Sequence, residues 1–324
     1  MSESNNKREY CPVVKVKTFL EAGQKSLQME LVAGAAGLGR RIRETTLNRP
    51  GLALSGFLAH FPRRRIQVLG LAECEYLHSL AEEERRQRLA VFFGTGIPCV
   101  VVTRRRKISA DLRELAERSR VPLLRSAMIT KHFINAATIL MENLSAPRVN
   151  VQGTMVEIMG IGVLIEGKPG MGKSEIALGL IKKGHALVAD DVTTLRLDSA
   201  GCIICSAVDV TRYHMEIRGL GIIHVPSLFG VASVRGEKRL DLVVTLCEPK
   251  EAAALSGDQR SGVWEMFGVK IPRIFLPVAP GRDLANVVEA AALDQKLKAL
   301  GHDAEKELDE RLIAAMSMPR NGSE

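Results

Sequence analysis

One octapeptide limits the fold of this chain more than anything else in it: Gly167-Lys168-Pro169-Gly170-Met171-Gly172-Lys173-Ser174, which fits GxxxxGK[ST]. It lies between an apolar run, GVLIE, and a helical one, SEIALGLIKKG. A strand that delivers a glycine loop to the start of a helix is an α/β unit. Glycines let the backbone fold round a polyphosphate and turn N–H groups toward it, and the helix N-terminus adds its positive dipole end. Lys173 would reach the β and γ phosphates, and the Ser174 hydroxyl would be a ligand of Mg²⁺. All eight residues, from Gly167 to Ser174, are therefore expected to hold nucleotide or polyphosphate.

Acidic groups that could serve such a cradle come next along the chain. Asp190 and Asp191 follow the strand-like run Ala186-Leu-Val-Ala. Both carboxylates then fall at the carboxyl end of a strand, the edge where open α/β sheets place their sites. One could hold water of the Mg²⁺ shell while the other accepts the proton of an attacking hydroxyl. A second constellation runs from Met215 to His224, MEIRGLGIIH. Strand alternation puts Glu216 and Arg218 on one face, where they could hold Mg²⁺ and a phosphate oxygen or form a structural salt bridge.

Around these motifs the 324 residues read as an ordinary globular chain, 46% hydrophobic and 25% charged. The length suggests two domains. No run of about 18 apolar residues occurs, so no membrane helix is expected, and MSESNNKREY has no apolar secretory core. A cytoplasmic location follows as an expectation. Six cysteines spread over this length do not form a disulfide framework, and Cys202 and Cys205, the only CxxC, read as two buried thiols in an apolar strand. The net charge of +8 leaves room for an anionic partner, with clusters at Arg63, Arg64, Arg65 and at Arg104, Arg105, Arg106, Lys107. With only 4% aromatics and no recognition motif, nucleic acid is not the expected partner; docking of an acidic protein or of phosphate remains open.

The first half alternates short β-branched runs (Ile66–Leu71, Ile97–Thr103, Leu123–Leu124) with helical stretches over Glu73–Val91, from a Ser109 N-cap to Arg120, and over Thr130–Leu144. Ser145-Ala-Pro147-Arg148 interrupts both periods and sets the expected boundary, with domains at 1–147 and 148–324. The second half opens with two runs, Met155–Ile158 and Ile161–Ile165, that turn at Gly160 as an antiparallel hairpin. It ends in a long helical stretch, Leu284–Leu300, and another from about Asp303 to Met316.

The run from Gly167 to Asp191, together with MEIRGLGIIHV and PVAPGR at Pro277–Arg282, resembles HPr kinase/phosphorylase, and the likeness extends over nearly the whole chain, with RPGLALSGF and IPCVVVT in the first half. The resemblance implies an α/β fold of two domains: an N-terminal regulatory or assembly domain and a C-terminal P-loop kinase core like that of phosphoenolpyruvate carboxykinase. It implies ATP-dependent phosphorylation of a serine of the phosphocarrier protein HPr, removal of that phosphate by phosphorolysis, and a homohexamer. Residue by residue it makes Lys173 the P-loop lysine, Ser174 and Glu216 the Mg²⁺ ligands, and Asp191 the proton acceptor and donor. It places Arg218 in the stretch needed for both reactions and Arg282 in the stretch linked to dephosphorylation. Two positions depart. Gln152 stands where the family has a histidine, and Ser256-Gly257 where it has an arginine, with Arg260 close by. The departures keep two other readings in play: a related kinase acting on another protein or a small molecule, with pyrophosphate as a further candidate donor, and a non-catalytic nucleotide sensor.

Overall fold

The computed structural model describes residues 13–253, 261–279 and 281–317. The chain divides into two compact units, one ending at Pro147 and one beginning at Arg148.

The first unit holds helices α1 (Val16–Gly23), α2 (Gly51–Leu54), α3 (Leu71–Ser79), α4 (Glu82–Gly94), α5 (Ala110–Arg118) and α6 (Thr130–Ser145). Its strands are β1 (Met29–Ala33), β2 (Gln67–Leu69), β3 (Val100–Val102) and β4 (Leu123–Ser126), in the order β1-β4-β3-β2. The two parallel pairings, β4 with β3 and β3 with β2, follow from short apolar runs buried on both faces, as parallel strands require, and β1 adds an antiparallel edge. Val100 and Val102 pack with α3, α4 and α5, while Val101 packs on the other face with α1 and α6. Helix α6 turns Phe133, Ala137 and Met141 inward, as its period predicts. The expected helix over Glu73–Val91 is two helices, because Leu80 takes an extended conformation and three glutamates then open α4 against its positive end. Ser109 takes the N-cap position of α5 without a side-chain cap bond; Asp111 Oδ1 accepts from the Leu112 N–H instead.

The second unit begins with β5 (Arg148–Gln152), β6 (Thr154–Ile158) and β7 (Ile161–Glu166). The P-loop leads into α7 (Lys173–Lys182), then β8 (Ala186–Ala189), β9 (Val192–Leu197) and β10 (Ile203–Ala207). A two-stranded ribbon, β11 (His214–Ile217) and β12 (Gly221–His224), precedes α8 (Val225–Phe229), β13 (Glu237–Arg239), β14 (Leu242–Cys247) and α9 (Pro249–Ala253). The last elements are β15 (Ser261–Met266), β16 (Val269–Pro277), α10 (Leu284–Ala299) and α11 (Ala304–Ser317). A six-stranded sheet runs β15-β16-β14-β7-β6-β8, and a four-stranded one β13-β10-β9-β5.

Along β7 the alternation assigns each face. Val163 and Ile165 pack under α7 and α10, and Leu164 packs toward the four-stranded sheet. The β6–β7 hairpin pairs Ile158 with Ile161 across Gly160. Strands β7, β14 and β16 are parallel, and β8 runs the same way because both β7 and β8 are antiparallel to β6. Their carboxyl ends therefore share one edge. The CxxC is split by this geometry: Cys205 is buried in β10, whereas Cys202 precedes the strand and is half-exposed, since the inward positions are Ile203, Cys205 and Ala207. None of the described helices is long and apolar enough to cross a membrane.

Candidate active site

The P-loop leaves β7 at Glu166 and closes into α7 at Lys173. Gly170 and Gly172 adopt φ of +83° and +86°, a region that only glycine enters at no steric cost. At Gly167 the constraint is space: a Cβ there would lie 2.9 Å from the Cβ of Leu246 in β14. Lys173 crosses the loop, its Nζ donating to Gly167 O at 3.1 Å and Lys168 O at 3.3 Å. Met171 packs against the core below.

A cavity of about 520 Å³ opens above this loop. Lys173 and Ser174 line it from α7, Asp190 and Asp191 from the end of β8, and Glu216 and Arg218 from the β11–β12 ribbon. The two aspartates occupy different chemistry. Asp190 is buried, and its Oδ1 accepts from Ser174 Oγ at 2.9 Å and from Thr154 Oγ1 at 2.8 Å. Its Oδ2 accepts from the backbone N–H of Glu216 at 3.2 Å, so this one carboxylate ties the helix start, β6 and the ribbon together. Asp191 is exposed at φ +60°, with its backbone O accepting from the Gly153 N–H.

Glu216 is an exposed residue of β11. Strand β11 ends at Ile217, so Arg218 belongs to the turn that follows; the expected strand alternation stops one residue short of it. The two reach the same cavity through the hairpin turn, and among the described residues no salt bridge joins them. Arg218 Nη2 lies 3.8 Å from where a Cβ on Gly170 would sit, which places the guanidinium against the phosphate loop.

Three residues read from the sequence stand apart. Lys168 turns away to Glu251 Oε1 at 2.9 Å and Glu248 Oε1 at 3.2 Å, pairings that raise its pKa and lower that of Glu251. Arg282 is exposed beyond β16 and does not line the cavity. Pro280 of the same stretch, like Ser256, Gly257 and Arg260, lies outside the described residues. Gln152 ends β5 opposite Val192, next to Asp191 in the chain it pairs with.

Sequence reading misses Thr154, Glu175 and a polar bridge beneath the loop. Thr245 Oγ1 donates to Glu166 Oε1 at 2.9 Å, and Arg273 reaches both of them across β7, β14 and β16. Each partner is remote in sequence, so no local pattern announces it. Among the described residues, no three His, Cys, Asp or Glu side chains converge on a metal position. The oxygens of Ser174, Asp190 and Glu216 nevertheless suit Mg²⁺, which takes few protein ligands and completes its shell with water and phosphate.

Residues 143–312 match the family model described as HPr Serine kinase C-terminal domain, and residues 14–141 that described as HPr Serine kinase N terminus. The chain belongs to the HPr kinase/phosphorylase family. A member of that family from Leptospira biflexa serovar Patoc is 40% identical over 306 residues, covering 93% of this chain and 94% of that protein. The HPr kinase/phosphorylase of Bacillus mycoides is 38% identical over 310 residues, covering 95% and 98%. The solved Hpr(Ser) kinase/phosphatase of Coxiella burnetii is 32% identical, covering 49% of this chain and 97% of that one, with a TM-score of 0.45. The two-domain α/β architecture is thus that of an HPr kinase/phosphorylase, with the P-loop in its C-terminal domain.

Proposed function

We propose that the chain transfers the γ-phosphoryl group of ATP to a serine hydroxyl of HPr, and removes it by phosphorolysis with inorganic phosphate to give pyrophosphate. The observation that carries this reading is the convergence of Lys173, Ser174, Asp190, Asp191, Glu216 and Arg218 on one cavity over the P-loop. Phosphoryl transfer asks mostly for positioning and charge neutralisation, and that set supplies both.

Lys173 neutralises the β and γ oxygens, and Arg218 orients a phosphate against Gly170. Ser174 and Glu216 would hold Mg²⁺, which would supply positive charge to offset that of the phosphates. Asp190 already accepts from three donors and acts by fixing the Ser174 hydroxyl and the ribbon. That leaves Asp191, exposed at the mouth, to take the proton of the attacking serine in one direction and return it in the other. Arg282 serves the dephosphorylation direction from outside the cavity described. The N-terminal domain serves regulation or assembly, and the working particle is a homohexamer, which sedimentation of the full chain would test.

The deciding experiment incubates the purified chain with HPr and γ-labelled ATP. Label on an HPr serine is expected, and none in Lys173→Ala, which loses the loop's ammonium. Label found only on some other acceptor would replace HPr with that target. In the reverse assay Gln152, which donates a hydrogen bond but cannot carry imidazolium charge, bears on the rate of phosphorolysis.

A further inference from the structure

The β11–β12 ribbon carries two histidines that the phosphate chemistry does not use. The strand register sets His214 directly opposite His224. Because side chains alternate along a strand, His214, Glu216, Ile222 and His224 share one face, while Met215 and Ile223 turn inward and are buried. The shared face is exposed. The two imidazole rings meet on it, their centroids 5.0 Å apart and their planes inclined by 49°.

Hydrogen bonding decides which ring nitrogen is left over. His214 Nδ1–H donates to Arg212 O at 2.9 Å, because a carbonyl can only accept. In the neutral ring Nε2 then keeps the lone pair. His224 Nδ1 lies 2.7 Å from Ser227 Oγ, a hydroxyl that can accept in the same way. Among the described residues neither Nε2 has a protein partner. This is the arrangement of a metal-binding histidine, whose other nitrogen is held by an oxygen that fixes both the tautomer and the ring. Packing of a cross-strand pair would account for the ring contact but not for two anchored Nδ1 atoms.

Distance and charge agree with an ion between the rings. With metal–nitrogen bonds of about 2.0–2.1 Å, two imidazoles on one tetrahedral ion hold their centres about 5 Å apart. Arg212, the cation nearest in the chain, is spent on Asp209 at 2.7 Å, and Glu216 adds negative charge two residues along the same face. Imidazole suits zinc, copper and nickel, whereas Mg²⁺ prefers oxygen, so the pair differs in kind from the oxygens of the cavity. We propose that His214 and His224 together bind one dication of the zinc class on the exposed face of the ribbon, at a site separate from the Mg²⁺ position. Two nitrogens from the chain leave the other positions to water, so the ion is exchangeable, unlike the four-ligand centre of a structural zinc.

The test is calorimetric titration of the full chain with zinc chloride, in excess Mg²⁺ and without nucleotide, comparing wild type with His214→Ala, His224→Ala and Glu216→Gln. Wild type is expected to bind one equivalent of Zn²⁺ whose affinity falls at least about tenfold in each histidine variant, since even a residue that merely supports a ligand is worth that much. Glu216→Gln removes only a nearby charge and should cost less than either. Both histidines are exposed, so the variants should fold; if a melting curve shows one unfolded, glutamine at that position replaces alanine. Failure of wild type to bind Zn²⁺, or binding that survives the loss of either histidine, leaves the rings a packed pair and overturns the proposal. A loss in Glu216→Gln that equals or exceeds those in the histidine variants puts the ion on the Mg²⁺ position and overturns it too. Turnover is read in none of these titrations, so failure of the kinase assay leaves their outcome intact.

Discussion

Asp190 and Asp191 are neighbours in the chain and opposites in the site. Because asparagine tolerates the left-handed region that Asp191 occupies, Asp191→Asn removes the proton acceptor with the backbone unstrained. Kinase and phosphorolysis rates should both fall by about 10² to 10⁴, with ATP binding retained, as measured by paired turnover and titration. Asp190→Asn should behave differently: its amide meets three donors, so stability falls by about 1–3 kcal/mol and Mg²⁺–nucleotide affinity falls with it. If the turnover loss follows Asp190 alone, the roles are exchanged. Glu216→Gln should weaken Mg²⁺ binding in the presence of nucleotide while leaving the melting temperature in place, since no salt bridge with Arg218 is there to be lost. At this scale the consecutive P-loop residues are legible because their spacing is itself the site. Thr154 is not, because its partner Asp190 lies 36 residues away. Lys168 belongs to the motif by position, yet its charge is spent on Glu248 and Glu251, two residues that no sequence window joins to it.

Between elements, the contact of α7 with α10 has a titratable clasp. Glu289 of α10 accepts from Lys183 Nζ at 2.7 Å and pairs with Nε2 of the buried His185 at 2.7 Å. The Lys183 bond first, and the His185 bond next, hold the Glu289 carboxyl below its usual range. A depressed carboxylate contributes stability that is complete above its unfolded pKa and is lost as pH falls through the lower, folded value. Glu289→Gln should therefore melt at a lower temperature than wild type near pH 7, and the gap should close as pH drops below about 4. A gap independent of pH would mean that the clasp acts through packing alone. The hairpin of β6 and β7 is readable from alternation because both strands have a well-defined inward phase. The division of α3 from α4 is hidden, since charged residues continue on a helical period through Leu80 and only the backbone at that residue turns extended. The ribbon misleads in the same way: MEIR alternates, but the two glycines after Arg218 draw the turn forward.

Across the molecule, each domain buries two thiols among the described residues, and the deeper of each pair is Cys99 in the first, with burial pushing its pKa up to about 12, and Cys205 in the second, raised further by the same cause. Neither should react with a thiol reagent at pH 8 until its domain unfolds, so labelling along a denaturant series should report the two domains separately. Fast labelling of Cys99 in the folded chain would contradict its burial. The division into two domains is legible at Ser145-Ala-Pro147 because both hydrophobic periods fail there, whereas the order of strands in the larger sheet is not, being settled by contacts between distant segments. That order has a consequence for synthesis. Glu166 is held by Thr245, 79 residues later, and by Arg273, 107 residues later. At about 5–20 residues per second, a ribosome needs about 5–20 s after making the strand that ends at Glu166 before Arg273 exists to clamp it. During that interval the first domain has its whole sheet, while the phosphate loop waits on a nascent chain with an unpaired strand edge. The vulnerable moment of this enzyme is therefore late in its translation, and slowing the ribosome between β7 and β16 should tax the yield of folded protein more than slowing it anywhere before Pro147.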